Sequence, residues 1–377
     1  MSLHTIIDFL NPINLSVISN DEGYRDTQLG KHVEVYETVF PDITNADLII
    51  MGCEEYRGSG NFNAKTGSAD AVRKNFYNLY HWHKDVTVAD IGNIKQGASL
   101  QDSYAAVKTV VTELIEAGKR VVIVGGSHDV TLAQYNAYVQ QQQIIEAVCV
   151  DAKIDLDMDS ALPADKFLME MLTGEPNFIK HYNHIGFQSY YVHPQMLETI
   201  DKLRFDCWRV GKVKEAIEEI EPAIRNASLF SFDICSIQHA HAPANYLTPN
   251  GFNGEEACTL MQYAGMSTNP CSVGIYNFLH EQDENNLTAT QIAHMLWYLM
   301  DGIHKGKKES SIEQRDNFNE VTLALADFDT VFLQSKKTGR WWMQTHDGKM
   351  LACSKGDYYL SSRNEIPERW MRYAERN

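Results

Sequence analysis

The stretch "VCVDAKIDLDMD", residues 148–159, decides how the chain is read. Val148, Cys149 and Val150 form an apolar run, the mark of a strand buried on both faces inside a parallel sheet. The run ends abruptly in Asp151, Asp155, Asp157 and Asp159, with a cation, Lys153, among them. Carboxylates at the carboxyl end of such a strand face the crevice where α/β proteins hold metals or substrates. Alone, the stretch admits three readings: a metal site, a metal site that has lost part of its ligand set, or a salt-bridged strand end that holds no metal.

Apolar runs and amphipathic stretches alternate on both sides of it. "ADLIIMGCEE" (46–55), "VTVADIGNI" (86–94), "KRVVIVGG" (119–126), "HYNHIGFQS" (181–189), "ASLFSFDIC" (227–235) and "CSVGIYNF" (271–278) read as strands. Between them, "ADAVRKNFYNLYHW" (69–82), "SYAAVKTVVTELIEAG" (103–118), "DVTLAQYNAYVQQQ" (129–142) and "TATQIAHMLWYLMDGI" (288–303) carry helical spacing, and shorter helices are expected near 165–172, 212–220 and 255–265. Strict alternation means βαβ units and a mostly parallel sheet covered on both faces. The expected fold is therefore an α/β three-layer αβα sandwich spanning 46–304. Residues 1–45 read as an irregular N-terminal extension. Residues 305–377 read as an aromatic-rich C-terminal extension, packed on the domain surface or at a contact in a homo-oligomer.

Composition narrows the function. The chain of 377 residues is 44% hydrophobic and 22% charged, with a formal net charge of −17. No basic stripe exists to neutralise phosphates, so nucleic acid is excluded as a partner. No apolar stretch reaches the length of a membrane span, and the first 19 residues lack the basic start and cleavage signature of a signal peptide. Seven scattered cysteines without a CxxC pair are the reduced core thiols expected of a cytoplasmic protein.

Three strand ends carry the chemistry. "VIVGGSHDVT" places His128 after the Gly125–Gly126 turn, "VCVDAKID" supplies Asp151 and Asp155, and "LFSFDICSIQHAHAP" supplies Asp233, followed by Cys235, His239 and His241. Each piece has a structural explanation by itself, since a lone His after a glycine turn often orders a loop and clustered Asp often cap the next helix. In a parallel sheet, however, all three ends meet at one rim. One imidazole and several carboxylates there form a hard donor set, suited to manganese, zinc or magnesium.

In order and in residue type these motifs resemble the ureohydrolase superfamily, the arginase, agmatinase and formimidoylglutamase group. That family carries Gly-Gly-x-His, Asp-Ala-His-x-Asp and Ser-Phe-Asp-x-Asp-x-x-Asp-Pro strand ends, where this chain has "GGSHD" (125–129), "DAKID" (151–155) and "SFDICSIQH" (231–239). "DIGNI" (90–94), "NHIGFQS" (183–189) and "NGFNGEEA" (250–257) echo further family segments. The resemblance implies an arginase-like fold and a pair of manganese ions acting on a guanidinium or amidine carbon. Carried over residue by residue, one metal's ligands are His128, Asp151, Asp155 and Asp233, all present. The second metal shares Asp151 and Asp233, but its private ligand positions are Lys153 and Cys235, both altered. At most one manganese ion is expected, and none is an open alternative. Lys153 would then stand as a buried cation in place of the second metal.

Two functions follow from the resemblance. The first is metal-dependent hydrolysis of a small linear amidine, with a formimidoylglutamate-type substrate from histidine degradation favoured over arginine or agmatine. Asp151, Lys153 and Asp233 would be catalytic, and Asp157 and Glu256 would bind substrate. The second is a catalytically inactive protein that keeps the fold, with Lys153 closing the old site.

Overall fold

Apolar runs too short for helices and flanked by glycine turns pair into a sheet when helices cover both faces. The computed structural model describes residues 5–19, 23–269, 271–325 and 328–376, so the first four residues of the N-terminal stretch lie outside it. In chain order the strands of the main sheet are β1 (Leu10–Asn11), β2 (Glu34–Val35), β3 (Leu48–Gly52), β4 (Val88–Ile94), β5 (Arg120–Val124), β6 (Ile145–Val150), β7 (Ile179–Phe187), β8 (Asp206–Arg209), β9 (Ala227–Asp233) and β10 (Ser272–Tyr276). They run in the order β1-β4-β3-β5-β10-β9-β6-β7-β8, with β2 also on β4, and every pairing is parallel except β1 with β4. No helix among the described residues is long and apolar enough to cross a membrane.

The expected three-layer sandwich is present, and β5 shows why. Val122 and Val124 join one core with the helices Ser68–Phe76, Gly254–Gly265 and Leu287–Gly306, while Val121 and Ile123 join another with Leu100–Glu116 and Val130–Gln140. Side-chain alternation along an extended strand thus feeds both layers. The helix starts follow from local chemistry, because Ser99 with Asp102 and Asn253 with Glu256 form capping boxes. The register Ile275 beside Val124, Tyr276 beside Asp233 and Val150 beside Phe232 aligns the carboxyl ends of the central neighbours β5, β10, β9 and β6 on one rim.

Two parts were not legible. Residues 1–45, read as irregular, contribute β1 and β2 to the sheet edge; two-residue strands are too short to leave a periodic pattern. The C-terminal part forms its own antiparallel sheet of β11 (Phe318–Leu325), β12 (Phe328–Ser335), β13 (Trp341–Gln344) and β14 (Met350–Cys353), in that order, followed by helices Lys355–Ser362 and Glu368–Arg376. Its aromatic residues meet the main body of the same chain. Arg225 and Arg340 place their guanidinium centres 4.5 and 5.7 Å from the Trp342 ring, and Arg225 Nη1 donates to Trp341 O at 2.6 Å. Arg225 is buried and also pairs with Glu221 through Nε at 3.0 Å.

Removing one partner of a buried ion pair strands the other charge. Arg225→Met is therefore expected to lower stability by about 3 kcal/mol, read as a shift in the urea midpoint. An unchanged midpoint would mean that Arg225 does not hold the C-terminal sheet to the main body.

Candidate functional site

The Gly125–Gly126 turn brings the chain off β5 into the rim. Both glycines are left-handed, at φ +93° and +86°, and a Cβ on Gly125 would stand 2.5 Å from Cys53 O. Only glycine turns there without strain. The turn is pinned by Ser127 N donating to Glu55 O at 2.8 Å and by Asn277 N donating to Gly126 O at 2.8 Å. His128 follows, 1% exposed.

The structure brings together the four residues assigned to one metal. His128 Nδ1 lies 3.2 Å from Asp151 Oδ2, 3.1 Å from Asp155 Oδ2 and 3.5 Å from Asp233 Oδ2. Donor atoms of His128, Asp151 and Asp233 all fall within 4.8 Å of one another. All four side chains are buried. Behind the ring, Nε2 sits 2.9 Å from Ser231 Oγ, which is 2.7 Å from Thr131 Oγ1, and Cys149 Sγ is 3.5 Å from the same nitrogen. Asp233 Oδ1 accepts from Cys235 N at 2.7 Å, and its Oδ2 accepts from Asn277 Nδ2 at 2.6 Å.

Crowding shows in the protonation equilibria. Burial, reinforced by Asp151, pushes the Asp233 carboxyl up to about 6, and burial with Asp155 raises that of Asp151. Burial opposes charge on His128, but Cys149 and the carboxylates of Asp151 and Asp155 outweigh it and hold the imidazole well above its ordinary value. Three carboxylates against one imidazole leave excess negative charge in a dry site. The donor set fits a hard divalent ion, taken by imidazole nitrogen and carboxylate oxygens. With Nδ1 turned to such an ion, the ring proton would reside on Nε2 and donate to Ser231 Oγ, the outer-shell bond that fixes a ligating imidazole.

The positions assigned to a second ion do not fit one. Cys235 is buried, and burial together with Asp233 and Asp151 holds its thiol well above its ordinary value. Lys153 corrects the expectation of a buried cation between Asp151 and Asp233. Its ammonium points to Asp165 Oδ1 at 3.5 Å, with the side chain 39% exposed, while its backbone N–H donates to Asp151 Oδ1 at 3.2 Å. Asp165 is held in turn by Ser160 Oγ, which donates to Oδ2 at 2.7 Å. A long side chain reaches water and a rim carboxylate at lower desolvation cost than burial would demand.

The two residues expected to bind substrate are otherwise engaged. Glu256 Oε2 accepts from Asn253 N at 2.8 Å in the capping box and pairs with Lys214 Nζ at 2.9 Å. Asp157 is exposed in a turn, where its Oδ1 accepts from Asp159 N at 3.1 Å. His239 accepts no role at the cluster; its Nδ1 lies 3.0 Å from Asn245 O.

Three residues at the site carried no recognised signal. Asn277 directly follows β10 on the same rim, which the strand reading of "CSVGIYNF" could have flagged. His184 Nε2 sits 3.2 Å from Asp151 O, and burial pushes its imidazole down to about 4, so it is a neutral support. Burial and the charges of Cys235, Asp233, Asp151 and Asp155 raise the phenol of Tyr246, a residue 63% exposed.

Comparison with known proteins bears on the family and the fold. The model of the arginase family matches residues 46–301. A formimidoylglutamase of Lysinibacillus sphaericus is 20% identical over 305 residues, covering 77% of this chain and 94% of its own. One from Salmonella paratyphi C is 28% identical over 129 residues, 32% of this chain and 40% of its own. Among solved structures, a Trypanosoma cruzi formiminoglutamase with manganese superposes at a TM-score of 0.63 with 15% identity, over 70% of this chain and 95% of that one. A Bacillus subtilis formimidoylglutamase gives 0.64 with 15% identity, over 74% and 93%.

The excess charge makes a sign-reversing prediction. In chelator-treated protein, Asp151→Asn removes a like charge and is expected to raise stability by about 1–2 kcal/mol in urea titrations. With manganese added, the same substitution is expected to be the less stable form, because a ligand is gone.

Proposed function

The chain belongs to the arginase family, and on that premise we propose that it is a hydrolase cleaving a C–N bond of a linear amidine of the formimidoylglutamate type, with one divalent ion, manganese for preference. The observation that carries this reading is the convergence of three buried carboxylates on His128 Nδ1 at 3.1–3.5 Å. His128, Asp151, Asp155 and Asp233 would hold the ion, which when bound activates water and polarises the amidine.

The chain's own residues do the rest. Ser231 and Thr131 fix the His128 ring, and Asn277 fixes the Asp233 carboxylate. Burial opposes charge on Lys153, but Asp155, Asp165 and Asp151 outweigh it and raise its ammonium above its ordinary value. It therefore stays protonated at the rim and would pair with a carboxylate of the substrate. An anionic partner for Lys153 favours a formimidoylglutamate-type substrate over agmatine, which has no carboxylate, and the named relatives support the same preference. The seven cysteines, all unpaired, support a cytoplasmic setting.

Lys153 and Cys235 together favour a second reading, a protein that keeps the fold without turnover. Metal content and product release separate the two. Protein purified without chelator is expected to carry about one equivalent of manganese and to release formamide from N-formimidoyl-glutamate faster than it releases urea from arginine or agmatine. Lys153→His with Cys235→Asp is expected to bring the content to about two equivalents. Absence of metal, with no turnover in either form, would favour the inactive protein.

A further inference from the structure

Phe167 has a neighbour besides the cluster. Its ring stands 4.9 Å from that of His128, and it also walls a cavity of about 580 Å³ between the helices Leu100–Glu116, Val130–Gln140 and Phe167–Thr173. None of His128, Asp151, Asp155 and Asp233 lines this cavity, so it is separate from the metal-type site. One face of each helix supplies it, with Tyr104 and Lys108 a turn apart on the first and Leu132 and Asn136 a turn apart on the second. Much of the wall is apolar, from Ala105, Leu132, Met158, Pro163, Phe167 and Met169.

Two lysines, Lys108 and Lys166, stand in that wall. Both are half-buried. Lys153, Lys180, Lys305 and Lys349 each hold a carboxylate. Among the described residues, neither Lys108 nor Lys166 forms an ion pair; Lys166 Nζ donates to Ser160 O at 3.1 Å. Glu170, exposed and likewise without an ion pair, is the single carboxylate in the wall. The cavity therefore keeps a net positive charge in a chain of net charge −17. A half-buried ammonium beside apolar side chains has lost hydration without gaining a counter-charge, and an anion there would restore it.

We propose that this cavity binds a small organic acid, a carboxylate carried on an apolar body, with Lys108 and Lys166 at the carboxylate and Leu132, Phe167 and Met169 against the body. The volume falls within the roughly 300–1,000 Å³ of small-molecule sites, which pair apolar walls with a few polar groups. Two ammonium groups act as point charges and need no forked geometry from the ligand. An inorganic anion would satisfy them but leave the apolar wall uncovered, so the body is part of the recognition.

Calorimetric titration of the full chain at constant ionic strength tests the proposal, with 4-phenylbutyrate, its neutral isostere 4-phenylbutyramide, and acetate as probes. One saturable site is expected for 4-phenylbutyrate, with binding about tenfold weaker or worse for the amide and for acetate. The Lys108→Ala, Lys166→Ala double variant should lose about tenfold in affinity for the acid and little for the amide. Ala105 is exposed on its helix, so Ala105→Trp can fill the cavity without entering the core, and it should abolish binding. No saturable heat with 4-phenylbutyrate, equal affinity for acid and amide, equal affinity for acetate, or unchanged binding in either variant would overturn the proposal.

Discussion

One imidazole nitrogen faces three buried carboxylates, and most of the central rim is arranged around that crowding. Like charges a few ångströms apart in a dry site repel strongly, so such a cluster persists when protons or a cation relieve it. The upward displacement of the Asp151 and Asp233 carboxyls is the proton-mediated relief. A divalent ion among His128, Asp151, Asp155 and Asp233 is the alternative, and their donor atoms suit it. The parallel register of β5, β10, β9 and β6 carries these residues to one edge, and the Gly125–Gly126 turn lets His128 reach them.

The same constraint explains the asymmetry of the site. Where a second ion would need its own ligands, Cys235 is a buried thiol and Lys153 has swung to Asp165. The ammonium therefore does not neutralise the cluster from within; it adds charge at the mouth, where solvent lowers its cost. This asymmetry is what supports the proposal of a single ion inside and an anionic substrate group outside.

What the sequence made legible follows from the physics of each element. Strands buried on both faces write unbroken apolar runs, so β5, β6 and β9 and the polar residues at their ends were readable, and three of them in order gave the fold and one ligand set. Side-chain direction was not readable. Lys153 sits in the middle of a motif, yet its partner Asp165 is twelve residues on and reaches it only through the intervening loop. Glu256 carried a readable local signal, Asn253 three residues before it, and the capping box uses that signal. Asn277 lay at a readable strand end, but its partner Asp233 is distant in sequence, and no local pattern encodes that pairing. The C-terminal sheet was hidden for another reason: its aromatic residues look alike whether they pack on their own chain or on another.

We propose that the cluster holds one divalent ion and has no place for a second. Anomalous-difference density at the manganese edge, from crystals grown with excess manganese, tests it most directly. A single peak is expected beside His128 Nδ1 and the carboxylates of Asp151, Asp155 and Asp233, with Lys153 turned toward Asp165. Two peaks bridged by Asp151 and Asp233, or no peak with the Lys153 ammonium lying between those carboxylates, would contradict it.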